Sequence, residues 1–349
     1  MRIREWTSLP STQDLHLAPD ILVKKLPALI LGVVLLGLGW IAFKTMGPEG
    51  IKEKLKEAVS QLMTKEAFTK APPVSPNDAI KIASFNIQVF GEKKLANPGI
   101  VDVLVKVCRH FDVIAIQEVR SEQQNILPMF VQELNKDGSK YNFVIGPRLG
   151  RTASKEQYAF IFDTESIEVD RNQLYTLEDP DDLLHREPLV ALFRVRGLPP
   201  EQAFTFKLVD IHTDPDEVAK ELNVLDDAFY AIRDKDGIPE DDVIILGDLN
   251  SDDKHLGELG SIPNLGHVIA DHATNTRGTH EYDNILFDSR ATVEFTGRGG
   301  VFDYMREYNL SLDDALLVSD HLPVWAEFSV FEGGRPPEVA GVGAGPAAR

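Results

Sequence analysis

Two histidines in this chain each close an apolar run with strand character, and each has an acid upstream in a similar setting. His212 ends FKLVDIH and His321 ends LLVSDH, while Glu156 and Asp283 precede the runs YAFIF and NILF. An imidazole oriented by a carboxylate takes a proton from an attacking water, and a second such pair returns one to a leaving oxygen. That is hydrolase chemistry. Further oxygen donors fall at strand ends: Asn86 in IASFN, Glu118 in VIAIQE, Asp248 and Asn250 in VIILGDLN, and Asp320 beside His321. Strand termini of an α/β sheet converge in space, so oxygen ligands from distant segments can meet there around one hard divalent cation. Mg²⁺, Mn²⁺ and Ca²⁺ are the candidates.

The elements that must position these groups are short apolar runs alternating with helical segments. Strands are predicted at 80–86, 112–117, 141–145, 157–162, 187–195, 204–211, 242–247, 283–287, 291–295 and 323–330. These are too many for one simple parallel sheet. Helices are predicted at 98–110, 121–136 and 214–233. The last opens with Asp214, Pro215 and Glu217, a capping-box-like start, and turns Val218, Leu222, Leu225 and Phe229 to one face. Asp248 and Asn250 alternate, so they share a face if their strand extends that far. The single cysteine, Cys108, excludes an intramolecular disulfide and any Cys-rich metal site, and its setting in VLVKVCRHF predicts a buried structural thiol.

Residues 26–43, LPALILGVVLLGLGWIAF, carry no charge, are bounded by lysines and are long enough to cross a bilayer core as one transmembrane helix. Arg2, Arg4, Lys24 and Lys25 before it balance Lys44, Lys52, Lys54 and Lys56 after it, so charge does not orient the span. The chain therefore divides into an N-terminal flank (1–25), the membrane helix (26–43), an amphipathic stalk (48–70), a Pro-containing linker (71–78), a catalytic domain (79–332) and a tail (333–349). The stalk places apolar residues at helical spacing and offers a surface for the membrane or for a homodimer. The Gly/Ala/Pro-rich tail has no core-forming pattern and is expected to be disordered. A net charge of −19 excludes holding nucleic acid by bulk electrostatics, since phosphate neutralisation needs Lys and Arg. Local positive charge must come from bound cations and a few arginines, of which Arg120, Arg186 and Arg148 are candidates.

Taken in order, FNIQVFGE, IQEVR, SKEQYAFIF, HREPLVALF, DIHTDPDEVAKE, ILGDLN, EYDNILF and SDHLPV resemble the endonuclease/exonuclease/phosphatase superfamily, and most of all its deoxyribonuclease I branch. The resemblance spans roughly residues 80–330. It implies a four-layer α/β/β/α sandwich and hydrolysis of DNA phosphodiester bonds. It implies Glu118, Asn86 and Asp320 at an Mg²⁺ or Mn²⁺ site, and the pairs His212–Glu156 and His321–Asp283 in catalysis with Asp248 and Asn250. Arg120 and Arg186 would then contact phosphate. The loop DHATNTRGT, 271–279, partly resembles a structural Ca²⁺ loop of the family, with His272 and Gly278 where oxygen-bearing side chains are expected. Ser154 replaces a groove-binding tyrosine and Gln88 replaces an arginine, which weakens the implied contacts to duplex DNA. Family analogy favours a catalytic domain outside the cytoplasm. Two other readings stay open: a sphingomyelinase-like or phosphoinositide-type lipid phosphoesterase, and a catalytically silent membrane-tethered binding module.

Overall fold

The structure is a computed structural model that describes residues 2–5, 78–152, 155–234 and 237–334. The expected membrane helix, stalk and most of the linker and tail fall outside the described residues. Among those described, no helix is long and apolar enough to cross a membrane.

Among the described residues, thirteen strands form two mixed sheets. The six-stranded sheet runs β12 (Phe295–Val301), β13 (Val324–Ser329), β2 (Ala79–Phe90), β3 (Val113–Val119), β5 (Gln157–Asp163) and β4 (Tyr141–Ile145). The seven-stranded sheet runs β1 (Arg2–Glu5), β6 (Ile167–Glu178), β7 (Leu189–Val195), β8 (Thr205–His212), β9 (Val243–Asp248), β11 (Asp283–Asp288) and β10 (Leu265–His267). Each sheet holds a parallel pair, β2 with β3 and β8 with β9. A parallel pair needs a crossover, and helices α2 (Pro98–Cys108) and α4 (Val218–Asp234) supply it, α2 following the single turn α1 (Glu92–Leu95).

The core has three apolar layers, which produce the four-layer sandwich. Between the sheets, Ile82, Val113, Phe160 and Phe162 meet Phe193, Phe206, Ile244 and Leu246. Outside the first sheet, Phe85, Ile114 and Ile116 pack on Leu104 of α2 and on Phe130 of α3 (Ile126–Leu134). Outside the second, Val209, Ile211 and Ile245 pack on Leu222, Leu225 and Phe229 of α4, the predicted face. Sheets covered on both sides bury alternate residues in different layers, which is why their strands read as continuous apolar runs. Cys108 is fully buried in the outer layer, and burial pushes its thiol up to about 12.

Several boundaries differ from the sequence reading. Strands β1, β6 and β10 were not predicted, and β12 covers 295–301 rather than 291–295. β12 contains Gly297, Gly299 and Gly300 and has exposed positions, so it lacks the apolar alternation by which strands are recognised. The helix expected over 121–136 is ordered as α3 only from Ile126, because Gln124 adopts a left-handed φ of 52° before it. The helix expected from 214 starts at Val218, and Glu221 rather than Glu217 reaches back to accept the Asp214 N–H at 2.9 Å. The described C-terminal residues include a 3₁₀ turn at Glu332–Gly334.

Gly247 sits in β9 opposite Ile211 of β8, with φ 152°. A Cβ there would stand 1.9 Å from the Ile211 carbonyl oxygen. Gly247→Ala should therefore cost more than about 4 kcal/mol, read as a shifted urea midpoint or failure to fold, because backbone on both sides must move. A variant of near wild-type stability would show that the two strands can part there freely.

Candidate active site

The sheet topology explains why distant residues meet. The parallel pairs β2/β3 and β8/β9 end at one side of the sandwich, and their antiparallel neighbours β5, β11 and β13 begin there. So Glu118, His212 and Asp248 come from strand ends and Asn86 from the last paired position of β2 before its register with β3 shifts, while Glu156, Asp283 and His321 come from strand starts or the loops before them. Asp283 is registered directly opposite Asp248.

At the centre stands one oxygen. Asp248 Oδ2 lies 3.5 Å from His212 Nε2 and 3.5 Å from His321 Nε2, and accepts a hydrogen bond from Asn86 Nδ2 at 3.0 Å. Behind each imidazole is its acid: His212 Nδ1 donates to Glu156 Oε1 at 2.7 Å and His321 Nδ1 to Asp283 Oδ2 at 2.9 Å. These carboxylates fix the tautomer that leaves Nε2 facing the cleft. Burial works against the charged form of both imidazoles, but the facing carboxylates prevail and both pKa values are raised.

The expected ligands gather beside this centre. Glu118 Oε1 accepts from Asn86 Nδ2 at 3.4 Å, and Glu118 Oε2 accepts from the Val89 N–H at 2.8 Å. Val89 and Glu118 both adopt left-handed φ, 51° and 62°, where the β2–β3 register breaks. Such conformations are costly for non-glycine residues, and here they bring the Val89 N–H onto the Glu118 carboxylate. Asn86 Oδ1 is buried with no hydrogen-bond partner. A hard cation suits an orphaned amide oxygen beside a carboxylate. Asp320 is more exposed and accepts from Gln88 Nε2 at 2.9 Å, so the glutamine that stands where the family has arginine is engaged inside the site.

Two expected positions resolve differently. Asn250 does not share the face of Asp248: β9 ends at Asp248, Asn250 has φ 48°, and its amide donates to the Thr213 carbonyl at 3.0 Å. Arg186 turns inward, donating to the His212 carbonyl at 3.0 Å and the Thr213 carbonyl at 3.1 Å while its Nε lies 3.1 Å from Glu156. It braces the base of His212 instead of facing the cleft. Arg120 remains part-exposed, 2.9 Å from Glu118 and 3.3 Å from Glu156. Arg148 lies at 3.7 Å from Glu122. In the 271–279 loop, Asp271 pairs with Lys254, Thr274 Oγ1 donates to Asp283 at 2.6 Å and Thr276 Oγ1 donates to the Ser319 carbonyl at 2.7 Å. Its threonine hydroxyls thus orient the His321 side of the site. Ser154 lies outside the described residues.

Supporting residues missed in the sequence are Tyr158, Ser319 and Lys94. Tyr158 OH accepts from the His212 N–H at 2.8 Å, and Ser319 Oγ donates to the Asn86 carbonyl at 2.6 Å. Tyr158 was legible, because it lies two residues beyond Glu156 and so on the same strand face. Lys94 Nζ donates to the Val318 carbonyl at 2.5 Å, and burial, opposed by Asp320 and Glu118, brings its ammonium down to about 8. Its helix is a single turn with no periodicity to detect.

Residues 83–321 match the Endonuclease/Exonuclease/phosphatase family. The chain is 33% identical over 263 residues to deoxyribonuclease gamma of Rattus norvegicus, covering 70% of this chain and 83% of that protein. It is 33% identical over 266 residues to deoxyribonuclease-1-like 1 of Homo sapiens, covering 73% and 86% respectively. A solved structure of D. rerio TDP2 with a single-strand DNA product aligns with a TM-score of 0.50 at 18% identity, over 72% of this chain and 100% of that one, a likeness of fold. The chain belongs to the endonuclease/exonuclease/phosphatase family.

Proposed function

We propose that this chain is a metal-dependent endodeoxyribonuclease, tethered to a membrane by residues 26–43. Hydrolysis of phosphoester bonds follows from its family; DNA as the substrate is supported by relatives that bear the name deoxyribonuclease. The observation that carries the reading is the convergence of two carboxylate-bound imidazoles on one oxygen of Asp248, each at 3.5 Å.

Glu118 and Asn86 would hold the cation, with Asp320 beside them, and Mg²⁺ or Mn²⁺ suits this all-oxygen set. When bound, it supplies positive charge to the phosphate undergoing attack. One imidazole, its Nδ1 proton committed to its carboxylate, takes a proton from water at Nε2. The other, protonated, gives one to the 3′ oxygen as the P–O bond breaks. Asp248 would hold both Nε2 edges toward the reacting phosphate, and Arg120 would contact it. Arg186 acts through Glu156. The hydrophobic segment before the stalk would anchor the domain at a membrane, on the extracytoplasmic side by analogy with the family; because Arg2–Glu5 pair with β6 in the catalytic sheet, it would do so by inserting from that one side and not by a single crossing, and the amphipathic stalk would offer a surface for pairing two copies. Resistance to alkaline carbonate extraction tests the anchor.

The intact chain should nick supercoiled plasmid in Mg²⁺ and stop in EDTA. Glu118→Gln should weaken the apparent metal affinity at least about 10- to 100-fold, read from the Mg²⁺ dependence of the rate. Hydrolysis of sphingomyelin or a phosphoinositide with no nicking would move the activity to the lipid branch of the family.

A further inference from the structure

A second carboxylate cluster occupies the opposite end of β9. Asp242 immediately precedes β9, Glu294 immediately precedes β12 and Glu332 follows β13; their oxygens lie within 4.8 Å of one another. At about 3.3 Å per residue, β9 separates this cluster from Asp248 by about 20 Å. It takes no part in the site described above.

Asp242 and Glu294 are each only 2% exposed, whereas Glu332 lies at the exposed rim. Glu294 Oε1 accepts from the Gly333 N–H at 2.6 Å, and Glu332 Oε2 accepts from the Thr205 N–H at 3.2 Å. Asp242 Oδ1 and Glu294 Oε2 are buried with no hydrogen-bond partner. Orphaned carboxylate oxygens are expensive, and two in one buried cluster of like charge are more so. The chain is folded back to build this arrangement: Gly333 and Gly334 have φ 76° and 72°, and a Cβ on Gly334 would stand 2.7 Å from the Val293 carbonyl.

We propose that Asp242, Glu294 and Glu332 form a Ca²⁺ site that clips the two sheets together at the end remote from catalysis. The cluster offers oxygen alone, with no imidazole or thiolate, which selects a hard cation. Carboxylates from three separated segments, open to water on the Glu332 side, suit the larger and geometrically tolerant Ca²⁺ better than Mg²⁺, which demands a near-ideal octahedron. Glu240 and Asp241 adjoin Asp242 and deepen the negative potential. Asp242 flanks a strand of the seven-stranded sheet, while Glu294 and Glu332 flank strands of the six-stranded one. A cation bound only by the folded arrangement raises stability by mass action.

The test uses the full chain in EDTA and in millimolar Ca²⁺, comparing wild type with Glu294→Gln and Glu332→Gln. Equilibrium dialysis should find one Ca²⁺ fewer per chain in Glu294→Gln, and the Ca²⁺-dependent rise in Tm should shrink. Mg²⁺-dependent nicking should be unchanged, which separates this site from the catalytic one. In EDTA, Glu294→Gln should melt no lower than wild type, because a like-charge contact is gone. Glu332→Gln, at the exposed rim where folding is not at stake, should weaken this Ca²⁺ at least about 10-fold. Unchanged Ca²⁺ stoichiometry and Tm rise in both variants would overturn the proposal and leave a cluster that shares protons instead.

Discussion

Alanine at His212 or at His321 should lower the rate of plasmid nicking by about 10²- to 10⁴-fold in each case, with little change in KM. Neither imidazole is replaceable from nearby, because each is tied at Nδ1 to its own carboxylate, Glu156 at 2.7 Å or Asp283 at 2.9 Å. Both Nε2 atoms address the same oxygen of Asp248, so they serve one transition state from two sides. The double variant should accordingly lose little more than the worse single one, as groups that act as a unit do. Steady-state nicking kinetics, with Tm measured alongside to exclude unfolding, decide the matter. Either single variant retaining more than about a tenth of the wild-type rate would remove that histidine from proton transfer.

The sequence made the site legible for a specific reason. Strand ends in a covered sheet follow long apolar runs, so a polar residue that closes such a run, as Glu118, His212 and Asp248 do, stands out from its surroundings. What surrounds them was less visible. Arg186 carries the same sequence signal as a phosphate-binding arginine, and only the positions of the His212 and Thr213 carbonyls show that its guanidinium is spent inward. Asn250 failed on one backbone angle, a φ of 48° that ends the alternation on which its placement depended. Strand β12 was misplaced because its glycines carry no side chains to pattern, and β6 was missed because the exposed Arg171 and Asn172 interrupt its apolar pattern. The cluster at Asp242 was invisible for a different reason. Its members are separated by 52 and 38 residues, and isolated acids in an acidic chain look like ordinary surface until folding buries them.

Glu156→Gln should be the most destabilising polar substitution in the site, at about 3–5 kcal/mol near neutral pH in EDTA. One carboxylate, 1% exposed, answers three cationic groups: His212 Nδ1 at 2.7 Å, Arg186 Nε at 3.1 Å and Arg120 Nη2 at 3.3 Å. Glutamine keeps the shape but removes the charge, which leaves the Arg186 guanidinium buried without its counterion. The pH dependence distinguishes this from simple loss of packing. Burial alone would raise the Glu156 carboxyl, but His212, Arg186 and Arg120 outweigh it and hold it at about 2 against an ordinary 4.5. A group depressed in the folded state stabilises above its unfolded value, so this contribution is full above 4.5 and is lost as pH falls toward 2. His212 is shifted the other way, raised above 6.5, so its share is full below that value and declines as pH rises past it. The stability gap between wild type and Glu156→Gln should therefore be widest between about 4.5 and 6.5 and narrow on both sides. Chemical unfolding of both proteins in EDTA, from well below pH 4.5 to well above pH 6.5, measures it. A gap of constant size would mean that Glu156 holds His212 by shape rather than by charge.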